Sequence, residues 1–424
     1  MGSASDPLRV EYADGPHDLR LARQSPPPGA ASFSATYVGP GGWAYDPPGA
    51  EGTARMTAHL LTSGAGSRDR IELARYLDRA GGTLNAQCDP ESAEVTVWGP
   101  VDSTDVLMGV LADAVLRPRF DAPDLERVRR QLIERQLREL SQPGARADRE
   151  LLRTIFPSGH PYRTSGAGDR KSVSRVRSSD LTKFHTRHFT GERGILVITT
   201  PRNLSSMVRL VRRRFSDLPA RAPPPPSVPP PRRGPPRDVA IDLPGRSQVE
   251  VRLGGPSIAR GEPSYAAAYL ADEVLGGATL LSRLFTRVRS KGGLAYHASS
   301  HLEAMKFGGY WVAQAGTGSD RWRKVVPMLR QEVDRISEET MSTAELDLVR
   351  ESRIGELALA LESTSDAHEL ALEVAYYGLP ADHWVTWPSV LRGLSPAEVR
   401  EAAEVGLDGR RAASVVVGPI GTHG

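Results

Sequence analysis

Hydrophobic residues recur along the chain in two periods, at alternate positions or at every third to fourth position. Short runs that are apolar or alternating predict β-strands; they cover residues 32–38, 93–98, 194–199, 248–253, 310–315 and 413–417. Longer segments with helical spacing predict α-helices at residues 53–62, 70–80, 103–116, 122–140, 179–188, 265–275, 321–337 and 343–361. Strands joined by long helices in imperfect alternation favour an α+β fold, with helices on one face of a mostly antiparallel sheet.

The two halves of the chain repeat the same order of patterns. Residues 181–201 align without a gap on residues 399–419, so that Phe189 meets Leu407 and Gly191 meets Gly409. Residues 121–134 align on residues 342–355 with their apolar positions in register at helical spacing. The offset is far longer than the roughly 20–50 residues of a solenoid repeat. The sequence therefore predicts a duplicated domain.

A proline-rich stretch, ARAPPPPSVPPPRRGPPR, separates the halves at residues 220–237. Proline donates no backbone hydrogen bond and favours extended polyproline II, which makes such a stretch a semi-rigid connector. A recognition site for another protein is the alternative use of such a tract, and a central linker is the simpler one. We expect an N-terminal domain over residues 1–219, a linker over 220–237 and a C-terminal domain over 238–424.

Composition narrows the class of protein. The 424 residues include 54 Lys and Arg against 51 Asp and Glu, a formal net charge of +3, which gives no reason to expect a nucleic-acid partner. The one cysteine, Cys88, excludes an intramolecular disulfide framework and a site with several cysteine ligands. The start of the chain lacks a signal-peptide pattern, and no run approaches the ~18 apolar residues of a membrane helix. We expect a cytoplasmic protein without a membrane partner.

The segment from Gly52 to Gly66, GTARMTAHLLTSGAG, together with GGTLNA at residues 81–86, resembles the pitrilysin/insulinase family of zinc peptidases. That family carries an inverted zinc motif, H-x-x-E-H, on a helix. Positions i and i+4 lie on one helical face, so two histidines can share one metal ion. The glutamate between them serves as general base toward the metal-bound water.

The motif is degenerate in this chain, where the five residues read R-M-T-A-H from Arg55 to His59. Arg55 is always charged and would repel a metal ion, and Ala58 cannot accept a proton. The resemblance implies a third ligand, a glutamate, near Glu134, in a register that the sequence does not fix. We therefore expect no metal in this chain and interpret His59 as a packed residue of an apolar helix.

Two other histidines, His185 and His188, have a metal-like i, i+3 spacing. No carboxylate or third histidine lies close to them in sequence, and the aligned segment of the second half has no histidine. We interpret both as structural residues.

The strongest positive signal is LGGATLLSRLFTRVRSKGGLAYHASS, residues 275–300, which resembles the family's C-terminal stretch. The resemblance implies that Arg289 and Tyr296 face the zinc from the opposite domain, hold the substrate backbone and stabilise the oxyanion. Donors of this kind are typically worth ~2.7–4 kcal/mol. The alternative is a solvated Arg289 and a core aromatic Tyr296. The LGG, SRL and GLAY segments together favour the functional interpretation, while Gly276 and Gly277 are expected only to pack locally.

A lost zinc motif beside a retained Arg/Tyr pair resembles the division of labour in two-chain bacterial members of this family. The resemblance implies two sheet-and-helix domains that form a clam-like half-shell. A complete chamber then needs a second half-shell. We expect a non-catalytic subunit of a heterodimeric metalloendopeptidase that cleaves peptides or leader segments, with zinc in a homologous partner. Peptides would be recognised by strand addition to a sheet edge.

Two alternatives remain open from the sequence. The chain could be a purely structural or scaffolding homologue without a proteolytic role, which the retained Arg289 and Tyr296 argue against. It could also be a self-sufficient homodimeric peptidase, which would require a bound metal.

Overall fold

The computed structural model of the chain describes residues 8–232 and 237–421. They form two compact units that interleave along the sequence. The first unit draws its described residues from Met1–Gln136, Ser165–Ser227 and Ala358–Thr386. The second draws them from Leu137–Thr164, Val228–Leu357 and Trp387–Gly424.

Strands and helices are numbered in chain order. The strands are β1 (Glu11–Asp14), β2 (Arg20–Gln24), β3 (Ser32–Gly39), β4 (Gly64–Ala65), β5 (Arg68–Asp69), β6 (Thr83–Cys88), β7 (Ala93–Pro100), β8 (Ile195–Thr199), β9 (Asp238–Asp242), β10 (Val249–Ser257), β11 (Ala295–Met305), β12 (Gly308–Thr317) and β13 (Ala413–Gly418). The helices are α1 (Thr53–Leu60), α2 (Arg70–Ala80), α3 (Thr104–Leu116), α4 (Ala122–Ser141), α5 (Pro143–Ile155), α6 (Arg170–Arg175), α7 (Ser178–His188), α8 (Leu204–Arg214), α9 (Tyr265–Asp272), α10 (Trp322–Glu338), α11 (Thr343–Ala360), α12 (Thr364–Tyr377), α13 (His383–Gly393) and α14 (Pro396–Gly406).

The main sheet of the first unit has the strand order β1-β2-β8-β3-β7-β6. Strands β2 and β8 are parallel, and the other neighbouring pairs are antiparallel. Because side chains alternate across a strand, Phe33, Ala35 and Tyr37 of β3 enter the hydrophobic core that this sheet shares with α3. Ser34 and Thr36 are buried on the other face.

The sheet of the second unit repeats this plan, with the order β11-β12-β10-β13-β9. Its parallel pair is β13 and β9, and its other pairs are antiparallel. Helix α14 leads to the interior strand β13 as α7 leads to β8, and these two helix–strand segments are the pair that aligns in the sequence. Two sheet-and-helix domains of equivalent topology confirm the predicted α+β class.

Equivalent helices of the two halves are exchanged between the units. Helix α12, from the second half of the sequence, packs on β8 and β3 of the first unit. There His368 lies between two hydroxyls, with its Nε2 2.8 Å from Thr36 Oγ1 and its Nδ1 2.9 Å from Thr199 Oγ1. Helix α5, from the first half, packs on β10 and β13 of the second unit. Each sheet therefore carries a helix on the face opposite its main core, in addition to the helices expected on one face.

Because of this exchange, the bounds of the two units differ from those of the predicted domains at residues 1–219 and 238–424. Helices α5 and α12 were not among the predicted helices, and a helical pattern does not specify which sheet a helix covers. One of the points at which the chain passes between the units lies between Ser227 and Val228, inside the proline-rich stretch. Residues 233–236 of that stretch lie outside the described residues. Among the described helices, none is both long and apolar enough to cross a membrane.

Candidate functional site

Helix α1, which carries the degenerate motif, is held at its start by Asp46. The two carboxylate oxygens of Asp46 accept hydrogen bonds from the backbone N–H groups of Gly52 and Ala54, each at 2.7 Å. Gly52 has a φ of +102°, in the left-handed region that favours glycine. Burial raises the pKa of Asp46 to about 7, although these two hydrogen bonds act in the opposite direction. These hydrogen bonds fix the backbone conformation at the start of α1.

Ala58 occupies the position of the family's general base, and it is part of an apolar cluster. Its side chain is 1% exposed and packs in a cluster with Ala54, Cys88 and Phe184. The position is therefore filled by packing and presents no group that could take a proton.

Arg55 occupies the position of the first metal ligand, and its guanidinium is held by groups around it. The guanidinium lies 5.0 Å from the ring centroid of Trp43, in a cation–π contact. Its Nη2 also donates to the carbonyl oxygen of Cys88, 3.4 Å away, at the end of β6. Arg55 therefore connects α1 to the edge strand of the first sheet.

His59 is the one residue of the motif that remains, and part of its side chain is exposed. Partial burial lowers the pKa of His59, and so do the positive charges of three arginines. These are Arg55 on α1 and Arg127 and Arg135 on α4. The electrostatic environment of His59 therefore opposes a bound cation. The expectation that His59 is simply a packed residue is wrong in that its side chain remains accessible.

The resemblance to the zinc peptidases implies that the third metal ligand would come from helix α4. Arg135 lies two turns after the buried Val128 and therefore on the same side of α4, toward the seam with α1. Glu134 lies well away from that side, although both Glu134 and Arg135 are exposed. Arg135, not Glu134, is thus the neighbour of His59 on α4.

Other possible ligand groups are occupied by backbone contacts. His185 Nε2 lies 2.8 Å from the carbonyl oxygen of Val115, and His188 Nδ1 lies 2.9 Å from that of Pro40. Burial lowers the pKa of each histidine to about 4. Within residues 8–232 and 237–421, no three or more His, Cys, Asp or Glu side chains are grouped so that they could hold a metal ion. That this chain binds no metal stays a prediction.

In the second unit, Arg289 lies in a wide helical turn at residues 285–290, just before β11. Val288 anchors this turn in the interior, whereas Arg289 is exposed, with its guanidinium 5.0 Å from the ring centroid of Phe285. Wide turns of this kind are frequent at functional sites. Arg289 is therefore accessible from solvent.

Tyr296 lies at a β-bulge in β11, the edge strand of the second sheet. Ala295 pairs with Thr317 and His297 with Gly316, so Tyr296 is the extra residue of the bulge. A bulge of this kind redirects a side chain and is common beside active sites. Tyr296 is 61% exposed, so the alternative in which it is a core aromatic is wrong.

Gly276 holds the segment before Arg289 against β11. A Cβ atom on Gly276 would lie 2.1 Å from the backbone nitrogen of Ser300, a distance that excludes any side chain. Nearby, the hydroxyl of Ser300 donates to the carbonyl oxygen of Asp272, at 3.1 Å. The contact is one of packing, as expected for this glycine.

Sequence reasoning did not identify Arg127 and Arg135 as neighbours of the motif. The available signal was their position on α4 beside Leu125, Val128 and Leu132, the apolar residues that are buried against α1. The sequence does not show that α1 packs against α4. That signal therefore did not indicate that the arginines would lie beside His59.

Models of one protein family match segments in both halves of the chain. The model described as "Insulinase (Peptidase family M16)" matches residues 20–163, and the model "Peptidase M16 inactive domain" matches residues 175–353. The chain belongs to the M16 family. Since Arg55 and Ala58 replace a ligand and the base, it is a non-catalytic member of this pitrilysin/insulinase family, as the sequence indicated.

Relatives within the M16 family differ in the activity that their names state. An uncharacterised zinc protease of Mycobacterium tuberculosis is 29% identical, with 88% of this chain and 84% of the relative covered. A non-peptidase homologue of Helicobacter pylori is 21% identical, with 82% and 80% covered. The crystal structure of an M16 inactive domain from Pseudomonas fluorescens matches with a TM-score of 0.90 at 21% identity, over 97% of this chain and 98% of that one. These likenesses support the M16 fold.

Proposed function

We propose that this M16 homologue is the non-catalytic subunit of a heterodimeric zinc peptidase of the cytoplasm. Arg289 and Tyr296 would bind the substrate backbone and the developing oxyanion at the zinc centre of a homologous partner. The substrates would be peptides or leader segments. The observation that carries this proposal is the exposure of both side chains beside an edge strand.

The local structure supports a role in binding rather than in stability. Val288, next to Arg289, is fully buried, and it anchors the turn that presents the guanidinium. The bulge at Tyr296 interrupts the strand ladder at this one residue. Turns and bulges are frequent places for side chains that meet a ligand.

The chemistry of the pair fits the charge that develops during peptide hydrolysis. A guanidinium and a phenol are strong hydrogen-bond donors, and their effect is largest when they are aimed at the oxyanion of the tetrahedral intermediate. The partner's zinc, when bound, would supply the activated water. Strand β11, at the open edge of its sheet, could pair with an extended peptide through main-chain hydrogen bonds.

The first unit supports a division of labour between two chains. Arg55, Arg127 and Arg135 oppose a cation beside His59, and Ala58 offers no base. In the proposed complex, hydrolysis would take its metal and its general base from another polypeptide.

The test is turnover of the complex formed with a homologue that has an intact H-x-x-E-H motif, co-expressed with this chain. Arg289→Ala should lower kcat by about 100-fold, since removal of one oxyanion donor costs ~10²–10³. Lys324→Ala is the matched control, because Lys324 is an exposed cation of the same unit outside the motif; it should leave turnover unchanged. An intact complex with unchanged turnover in Arg289→Ala would instead favour the scaffolding alternative.

A further inference from the structure

Tyr296 and His297 are consecutive residues of β11, and both are exposed. In a regular strand, successive side chains point to opposite faces of the sheet. Here both residues oppose the single residue Gly316 of β12, because the bulge adds Tyr296 to the strand. His297 is therefore the residue at which β11 returns to register, and its position decides where the extra residue lies.

The ring of His297 lies over the backbone of Gly316. A Cβ atom on Gly316 would lie 2.3 Å from His297 Cε1 and 3.0 Å from Glu250 Oε1. The ring can therefore occupy this place only because residue 316 has no side chain. The imidazole remains 46% exposed, so burial alone does not hold it in position.

Glu250 of β10 is the charged neighbour of this ring. Its Oε2 lies 3.6 Å from His297 Nε2 and 2.9 Å from Arg252 Nη1. Burial would raise the pKa of Glu250, but its contacts with His297 and Arg252 lower that pKa below its ordinary value. Glu250 is therefore an anion held between these two side chains.

Arg252 connects Glu250 to helix α5, which packs on β10. The side chain of Arg252 is buried, and its Nε donates to Asp148 of α5. A planar guanidinium suits this role because its donors can meet two carboxylates at once in a fixed geometry. A row of polar contacts thus runs from α5 across β10 to the residue that follows Tyr296 in β11.

This row of buried charges is a poor device for stability alone. Desolvation offsets much of the attraction within a buried ion pair, and apolar side chains could cover the same sheet face without that cost. A buried polar contact can instead specify one arrangement of the elements that it joins. The element at the exposed end of this row is the bulge that presents Tyr296.

We propose that His297 is a positioning residue for Tyr296, held in place by Glu250 and, through Arg252, by helix α5. The inference rests on the proposed function, since it takes the hydroxyl of Tyr296 to meet the oxyanion. With the ring of His297 seated on Gly316, the extra residue of the bulge stays at Tyr296 and the phenol keeps its direction. Without the ring, the bulge loses the contact that fixes its place in the strand.

The first test is a double-mutant cycle on the turnover of the complex with the homologue that has an intact H-x-x-E-H motif. His297→Ala should lower kcat by about tenfold with little change in KM, because misplacement of a group by ~1 Å can cost 100-fold in rate. In the Tyr296→Phe background, where the hydroxyl is already absent, His297→Ala should lower kcat by less than about twofold.

Two further variants show whether the effect belongs to this ring. His297→Gln keeps a donor toward Glu250 and should restore most of the turnover lost in His297→Ala. His301→Ala is the matched control, because His301 lies on the same face of β11, opposite Val312 and away from the bulge. It should leave kcat unchanged.

The second test needs no partner and follows the ring of Tyr296 by NMR in the full chain with isotope-labelled tyrosine. The signal is assigned as the one that disappears in Tyr296→Phe. His297→Ala and Gly316→Ala should each shift it, because both remove the ring of His297 from its place beside the bulge. Gly316→Ala changes no polar group, so a shift in this variant reports geometry, and His301→Ala should leave the signal where it is.

An unchanged Tyr296 signal in His297→Ala would overturn the inference, and so would an equal loss of kcat from His297→Ala in both backgrounds. These outcomes leave the proposed function standing if Tyr296→Phe and Arg289→Ala still lower the turnover of the complex. If those two variants have no effect on turnover, the proposed function fails, and the NMR shift still decides whether His297 holds Tyr296.

Discussion

The two regions that resemble M16 functional elements have opposite environments. In the first unit, the base position of the zinc helix is Ala58, which is 1% exposed and packed beside Cys88 and Phe184. In the second unit, Tyr296 is 61% exposed at a bulge of an edge strand, and Arg289 is exposed in the turn before it. One region has become part of a core, while the other keeps its polar groups at the surface.

The two regions differ in which side chains pack and which remain exposed. At the zinc helix, the side chain that would have done chemistry is replaced by one that packs, and the arginines around His59 add positive charge. At the Arg/Tyr turn, Val288 and Gly276 do the packing, so Arg289 and Tyr296 are free of that task. In the second unit, different residues therefore supply the packing and the exposed polar groups, whereas in the first unit the motif position Ala58 itself is used for packing.

The largest expected effect comes from restoring the base. Ala58→Glu places a carboxylate among Ala54, Cys88 and Phe184. An uncompensated buried charge costs on the order of 3 kcal/mol of unfolding free energy. Urea unfolding of the purified variant measures this loss.

Tyr296→Phe is the counterpart in the second unit. It removes one hydroxyl at an exposed position and should change the unfolding free energy by no more than about 0.5 kcal/mol. If Ala58→Glu were as mild as Tyr296→Phe, the base position would be open to solvent and the contrast between the regions would be lost.

A smaller effect is expected on the other face of the first sheet, where α12 packs. Burial lowers the pKa of His368 to about 4, whereas an unfolded chain has a histidine pKa near 6.5. The unfolded state therefore binds a proton first as the pH falls, and stability is lost progressively from about pH 6.5 toward pH 4. For one such histidine the loss at pH 5 is about 2 kcal/mol.

His368→Gln tests this contribution, since an amide can still meet Thr36 and Thr199 but does not titrate. The variant should lose less stability than the parent between pH 7 and pH 5, measured as the shift in thermal midpoint. Asp46 and Asp272 do not reproduce the effect, because burial raises the pKa of each to about 7 and their protonation stabilises the fold as the pH falls. An unchanged pH dependence in His368→Gln would show that α12 does not bury this ring as described.

Much of the fold could be predicted from the sequence where the pattern was regular. The strand-and-helix repeat around Phe189 and Leu407 gave the duplication, because both segments combine a helical face with a buried β-branched run. Strands β6 and β11 were missed, since edge strands such as TLNAQC are polar and lack the alternation of a half-buried strand. The exchange of α5 and α12 could not be predicted, because a helical period does not specify the sheet that a helix covers.

The residues of the candidate site could also be predicted only in part. Arg289, Tyr296, Arg55, Ala58 and His59 were found because they fall in recognisable motifs. Arg135 belongs to no motif, and its place beside His59 depends on how α4 packs against α1. The exposure of Tyr296 likewise depends on a bulge, and GLAY reads as the regular start of a strand.

We propose that this chain contributes donors to a zinc centre that another chain carries. Metal analysis of the purified chain alone, and of its complex with the zinc-motif homologue, tests this claim most directly. We predict one zinc ion per complex, lost when the first motif histidine of the homologue is replaced by alanine, and no stoichiometric zinc in this chain alone. One zinc ion per chain in the isolated protein, released by His59→Ala, would contradict the account.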